Sequence, residues 1–107
     1  MYSRVSRFRV PTDKLDLVIR AMQDRVASGP QRHEAFVGFA GETLLVDRDA
    51  QEALLIAYYV DRASLDANAE RSRQLREQLA GRLGVQLLSV AEYEVAASDF
   101  QLPTRSA

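Results

Sequence analysis

The chain of 107 residues has no cysteine and no tryptophan, a single histidine (His33) and a single lysine (Lys14). Without thiols there are no disulfides, no thiolate metal sites, no iron–sulfur cluster and no cysteine nucleophile. One histidine leaves little scope for a zinc or iron centre, and no metal site is expected. A charge excess is missing as well: 14 basic against 15 acidic side chains leave a formal net charge of −1. Nucleic-acid binders carry a clear basic excess, so nucleic acid is not an expected partner. No apolar run approaches the roughly 18–20 residues of a transmembrane helix. The opening MYSRVSRFRV lacks the apolar centre of a signal peptide. The expectation is a soluble, cytoplasmic protein without a membrane partner.

What is present is 47% hydrophobic and 27% charged, the balance of one globular domain. That domain is expected over residues 1–98, with an irregular tail over 99–107. A chain this short buries only about 60–70% of the surface its unfolded form exposes. With no disulfide to staple it, oligomerisation is the remaining device.

Residues 2–10 alternate as a strand does. Tyr2, Arg4, Ser6, Phe8 and Val10 fall on one side, and Ser3, Val5, Arg7 and Arg9 on the other. Pro11 ends the strand. Thr12 or Asp13 caps a helix whose stripe is Leu15, Val18, Ile19, Met22 and Val26. Ser28-Gly29-Pro30 stops it. An extended segment over 35–46, with a bend permitted by Gly38 or Gly41, turns through the polar run 47–51 and returns over 53–60 as an antiparallel hairpin. Asp61 or Ser64 caps one long second helix with the stripe Leu65, Ala69, Ser72, Leu75, Leu79 and Leu83, closed by Gly84. The last strand covers 85–95, with Val85, Leu87, Ser89, Ala91, Tyr93 and Val95 on one face. The order β-α-β-β-α-β predicts an α+β, ferredoxin-like sandwich: a four-stranded antiparallel sheet with both helices on one face.

The strand over 53–60 is apolar at nearly every position, where a half-exposed strand would alternate. Two helices cover one face only. The other face would leave apolar area in water at roughly 25 cal/mol per Å², and a patch of that kind marks an interface. A two-fold homodimer with stacked bare faces is the expected assembly.

With Phe36-Val37-Gly38-Phe39, the apolar 54–60 strand, the helix opening Asp61-Arg62-Ala63-Ser64-Leu65-Asp66-Ala67 and the closing Tyr93-Glu94-Val95, the chain resembles the antibiotic biosynthesis monooxygenase family of the dimeric α+β barrel superfamily. The resemblance spans about residues 3–96 and is carried by order and spacing. It implies a homodimer with back-to-back sheets and a pocket in each subunit between sheet and helices. Several members oxidise an aromatic polyketide or quinol with O₂ and neither metal nor flavin; others degrade haem. The haem-degrading branch has an asparagine in the first strand, a tryptophan closing the third and a histidine further on. Here Ser6, Val60 and Glu70 stand at those places, so haem degradation is not expected. The missing tryptophan is a departure from the polyketide oxidases too.

Asn68, Ser72 and Arg76 recur at four-residue steps inside the second helix's apolar stripe. Each must find a hydrogen-bond partner or cost about 1–3 kcal/mol. A pocket would supply partners; otherwise Ser72 bonds back to its own helix and Arg76 snorkels to the rim. Tyr58 and Tyr59 point to opposite faces, one to the helices and one to the dimer seam. Phe36, Phe39 and Tyr93 serve as core or as pocket wall. His33 is the cheapest general base near neutrality. Arg7 and Arg9 either clamp an anion or pair with acids across the dimer. Gly38 to Gly41 is no phosphate loop, since no Lys-Ser/Thr and no helix follows.

The expectation is a cofactor-independent monooxygenase-like protein acting on a small aromatic, polyketide or quinol-like, substrate. His33, Tyr58 and Asn68 are its catalytic candidates, and Phe36, Phe39, Ser72, Arg76 and Tyr93 its substrate contacts. The alternative is a non-catalytic homodimer of the same fold that binds a small ligand or serves assembly.

Overall fold

The computed structural model describes residues 1–27 and 37–99. The elements are β1 (Tyr2–Arg9), α1 (Thr12–Ala27), β2 (Phe39–Asp47), β3 (Glu52–Tyr59), α2 (Arg62–Ala67), α3 (Ala69–Leu83) and β4 (Gln86–Glu94). Ser28-Gly29-Pro30, His33, Phe36 and the tail from 100 onward lie outside the described residues.

The strands form one sheet in the order β2-β3-β1-β4, and every neighbouring pair is antiparallel. This is the expected ferredoxin-like sheet. The alternation in β1 decides its two faces. Arg4, Ser6, Phe8 and the following Val10 are buried beneath the helices. In register with them stand Ala57, Leu55 and Ala53 of β3. Phe8, Val10, Leu15, Ala53 and Val85 form one buried cluster, joined by Val18 of α1 and Leu83 of α3. Phe39, Tyr59 and Leu65 form a second. The opposite face presents Val5, Leu54, Ile56, Tyr58 and Leu45, in register across β1, β3 and β2. Among the described residues no helix covers it.

Two expectations need correction. The second helix is not continuous: it breaks at Asn68, whose backbone leaves the helical region with φ −99° and ψ 5°. Asparagine competes for local backbone groups, and Asn68 Nδ2 donates to the Ser64 carbonyl at 2.8 Å and the Val37 carbonyl at 3.2 Å. The break shifts the phase of the inward stripe, so Asn68 is buried and Ala69 is exposed. The second correction concerns β4. The register slips between Arg7 and Phe8, where Ser89 and Leu87 are the partners, leaving Leu88 as a bulge. Val85 therefore joins the core while Tyr93, at 58% exposure, faces the other way.

Gly38 is fixed by two constraints at once. Its φ of +78° lies in the left-handed region, and a Cβ there would fall 2.0 Å from Ser64 Oγ. Its carbonyl accepts the Val60 N–H at 2.9 Å, so the turn ahead of β2 sits directly on the start of α2. The α2 N-terminus is capped by Asp61, whose carboxylate accepts the Ser64 N–H at 2.8 Å. The Ser64 side chain, and then that backbone bond, hold the Asp61 carboxyl below its ordinary 3.8.

Gly38→Ala is expected to cost about 2 kcal/mol or more in urea unfolding, because strain and overlap add. The Asp61 cap contributes fully above the unfolded value of 3.8 and is lost as pH falls through the lower folded value. Thermal melts of Asp61→Ala and the unsubstituted chain should therefore differ at neutral pH and converge in acid.

Candidate functional site

The inward positions of β1 and β2 between the two apolar clusters are polar. Arg4, Ser6 and Glu42 share this middle zone with Leu55, Ala57 and Tyr59, and Arg25 of α1 and Ser72 and Arg76 of α3 close over it. They line a cavity of about 40 Å³. A water needs roughly 10–15 Å³ on this measure, so the room is that of about three waters.

Arg4 is the floor of the site, and its side chain is 3% exposed. A buried guanidinium survives only with its donors engaged, and here they are. One terminal nitrogen donates to Ser72 Oγ at 2.9 Å. The other donates to the Leu65 carbonyl at 2.9 Å, a carbonyl in the last turn of α2 that the helix itself cannot satisfy. Nε and the same nitrogen donate to Glu92 of β4 at 3.3 and 3.1 Å. The guanidinium carbon lies 5.5 Å from the Tyr59 ring centroid. The Tyr59 and Ser72 hydroxyls share a hydrogen bond of 3.2 Å. Phe39 meets Tyr59 edge-on, with centroids 5.9 Å apart at 64°. On the opposite wall Arg25 stands 3.5 Å from the buried Glu42 carboxylate. Arg76 Nε is buried and has no hydrogen-bond partner among the described residues. Burial, and then the nearby Arg4 charge, push its pKa below the ordinary arginine value.

Of the residues expected from sequence, Ser72, Arg76 and Phe39 come together at this cavity. Ser72 does not bond back to its own helix carbonyls through Oγ; it joins Arg4 and Tyr59. Tyr58 is a correction: it pairs with Ser3 on the bare face of the sheet, and the neighbouring Tyr59 lines the cavity instead. Tyr93 is a second correction, since it pairs with Ser3 on that same bare face. Asn68 is a third, being used up in the helix break. Arg7 pairs with Glu52 of its own chain. His33 and Phe36 lie outside the described residues. Sequence reasoning missed Arg4, Arg25 and Glu42, and of the two tyrosines it took Tyr58 where Tyr59 lines the cavity. For Arg4 and Glu42 a signal existed: each falls in register with inward apolar residues, Phe8 and Val10 in one strand and Leu44 and Val46 in the other.

No protein-family model and no curated protein sequence matches the chain. Solved structures do. An antibiotic biosynthesis monooxygenase assignment belongs to a Deinococcus radiodurans structure with a TM-score of 0.63 and 12% identity, covering 96% of this chain and 100% of that one. SnoaB, a cofactor-independent oxygenase from Streptomyces nogalater crystallised as a variant, has a TM-score of 0.61 and 20% identity over 94% of this chain and 97% of that one. The chain shares the ferredoxin-like α+β fold of these two structures. Rv0793 from Mycobacterium tuberculosis is similar too, with a TM-score of 0.54 and 24% identity over 92% of this chain and 96% of that one. In this chain the cavity lies between the sheet and the helices, over the Arg4 network. Among the described residues no helix is long and apolar enough to cross a membrane.

Glu92→Gln keeps the size of the Arg4 partner and removes its charge. Glu92 is about a third exposed, so the loss is smaller than for a fully buried pair: about 1–2 kcal/mol by chemical denaturation. An unchanged midpoint would show that Arg4 does not depend on this carboxylate.

Proposed function

We propose that the protein is a homodimeric, cofactor-independent monooxygenase-like enzyme that binds a small aromatic, quinol-like substrate in the cavity over Arg4. The observation that carries the reading is the set of hydrogen-bonding groups that share the chamber with its apolar walls: the Tyr59 and Ser72 hydroxyls tied to Arg4, with Arg76, Arg25 and Glu42 beside them. The fold shared with SnoaB, whose name records cofactor-independent oxygenation, supports it.

The chemistry asks little of the protein beyond placement. An electron-rich phenol or enol, once deprotonated, passes an electron to O₂; the two radicals combine, one oxygen enters the ring and the other leaves as water. A ring CH₂ thereby becomes C=O. Cationic and hydroxyl donors that stabilise the anion lower the cost of forming it. Tyr59 takes the orienting role expected of Tyr58, together with Ser72. Glu42 is the carboxylate on the cavity wall. The apolar walls, Leu55, Leu75 and Leu79 among them, exclude water from the reduced oxygen species.

The homodimer rests on the bare sheet face. Val5, Leu54, Ile56 and Tyr58 lie side by side there, and stacking a second copy removes them from water. A second reading, a non-catalytic dimer that binds a small ligand or serves assembly, is favoured by the modest cavity of about 40 Å³.

Oxygen uptake with a dihydroxynaphthalene-type quinol separates the two. The enzyme reading expects a rate above the uncatalysed background that falls about tenfold or more in Ser72→Ala, the loss of one donor bond near developing charge. A rate equal to background leaves the binding module. Sedimentation at micromolar concentration should give twice the 12.0 kDa chain mass, and Ile56→Glu should return it to a single chain.

A further inference from the structure

We infer that the cavity is a site for an aromatic anion, with Arg76 as the side chain that meets its carboxylate or phenolate oxygen. The inference rests on the reading that this cavity takes a small aromatic ligand, and it adds that the ligand is bound as an anion and that Arg76 is the side chain which selects it.

Three guanidinium groups line the cavity: Arg4, Arg25 and Arg76. Two have their counter-charge within the chain. Arg4 faces Glu92 at 3.1 Å, and Arg25 faces Glu42 at 3.5 Å. Arg76 differs. Its Nε is buried with no hydrogen-bond partner among the described residues. The carboxylate that acts on it, Glu77, is held by Arg73 at 2.6 Å on the solvent side of α3, where it is 63% exposed. A buried donor left unmatched is costly even on a side chain that is otherwise partly exposed, and the fold sets the Arg4 charge nearby. The cavity would be more stable with an alanine-sized apolar group there, or with an anion present.

The geometry favours the second. Arg76 sits one helical turn after Ser72 on the same inward side of α3, and both line the cavity. A guanidinium presents parallel N–H donors that match a carboxylate. Room for about three waters suits a carboxylate, or a phenolate oxygen, with the ring edge that bears it. Tyr59 and Leu75 line the same cavity, so a charged group and an apolar body of one ligand would both find contacts there.

The test is binding, measured by calorimetry or amide chemical shifts on the full chain with two probe pairs. Benzoate against benzamide reads a carboxylate; 4-nitrophenol titrated on both sides of its own ionisation reads a phenolate. The expected result is binding of at least one anion tenfold or more tighter than its neutral counterpart, a preference abolished in Arg76→Gln and partly kept in Arg76→Lys. Which pair shows it assigns the oxygen. Equal affinity for both members of both pairs in the unsubstituted protein overturns the inference, whether or not the variants fold; so does a preference that survives Arg76→Gln. Oxygen uptake is a separate readout. Anion preference without turnover upholds the site and removes the oxygenase reading, and turnover without anion preference does the reverse.

Discussion

One buried charge organises the molecule. Arg4 sits in a central strand, with a sheet behind it and helices above, where an ion is tolerated only if its donors are met. Its partners come from four places: the end of α2, the first turns of α3, strand β4 and the ring of Tyr59 on β3. Each of these elements is therefore placed by apolar packing on one side and by Arg4 on the other. Glu92 also stands 3.6 Å from Arg62, so the network continues to the surface, where water shares the carboxylate.

The core is divided as a result. One apolar cluster lies around Phe8, Val10 and Leu15, and another around Phe39, Tyr59 and Leu65. Between them runs the polar band of Arg4, Ser6 and Glu42, roofed by Ser72 and Arg76. A small domain has little stability to spare, and filling this band with leucine and valine would make it more stable. That the space is given to hydrogen-bonding groups is what the proposed ligand site rests on, a place where function and stability would pull in opposite directions.

The elements were legible in the sequence because they depend on short-range patterns. The period-two alternation of β1, the polar turn after Asp47 and the terminating Gly84, with its left-handed φ of 67°, all act locally. What stayed hidden depends on distant contacts. Strand β3 is apolar on both faces, so alternation separates Tyr58 from Tyr59 but does not say which one the helices cover. The break at Asn68 answers to the Val37 carbonyl, 31 residues away along the chain. The slip at Leu88 answers to the pairing with β1. Arg4 and Glu42 were readable in principle, as charges standing in the inward series of an amphipathic strand. Their meaning required knowing that helices close over that series.

The two irregular strands are also the two outermost ones. On β2 the pairing slips between Phe39 and Gly41, and on β4 it slips at Leu88. Such kinks spoil the straight ladder of free amides and carbonyls that another strand would need in order to zip on. Lateral extension into a continuous ribbon of molecules is thereby discouraged at both rims, and whatever this domain associates with is steered toward the broad flat of the sheet.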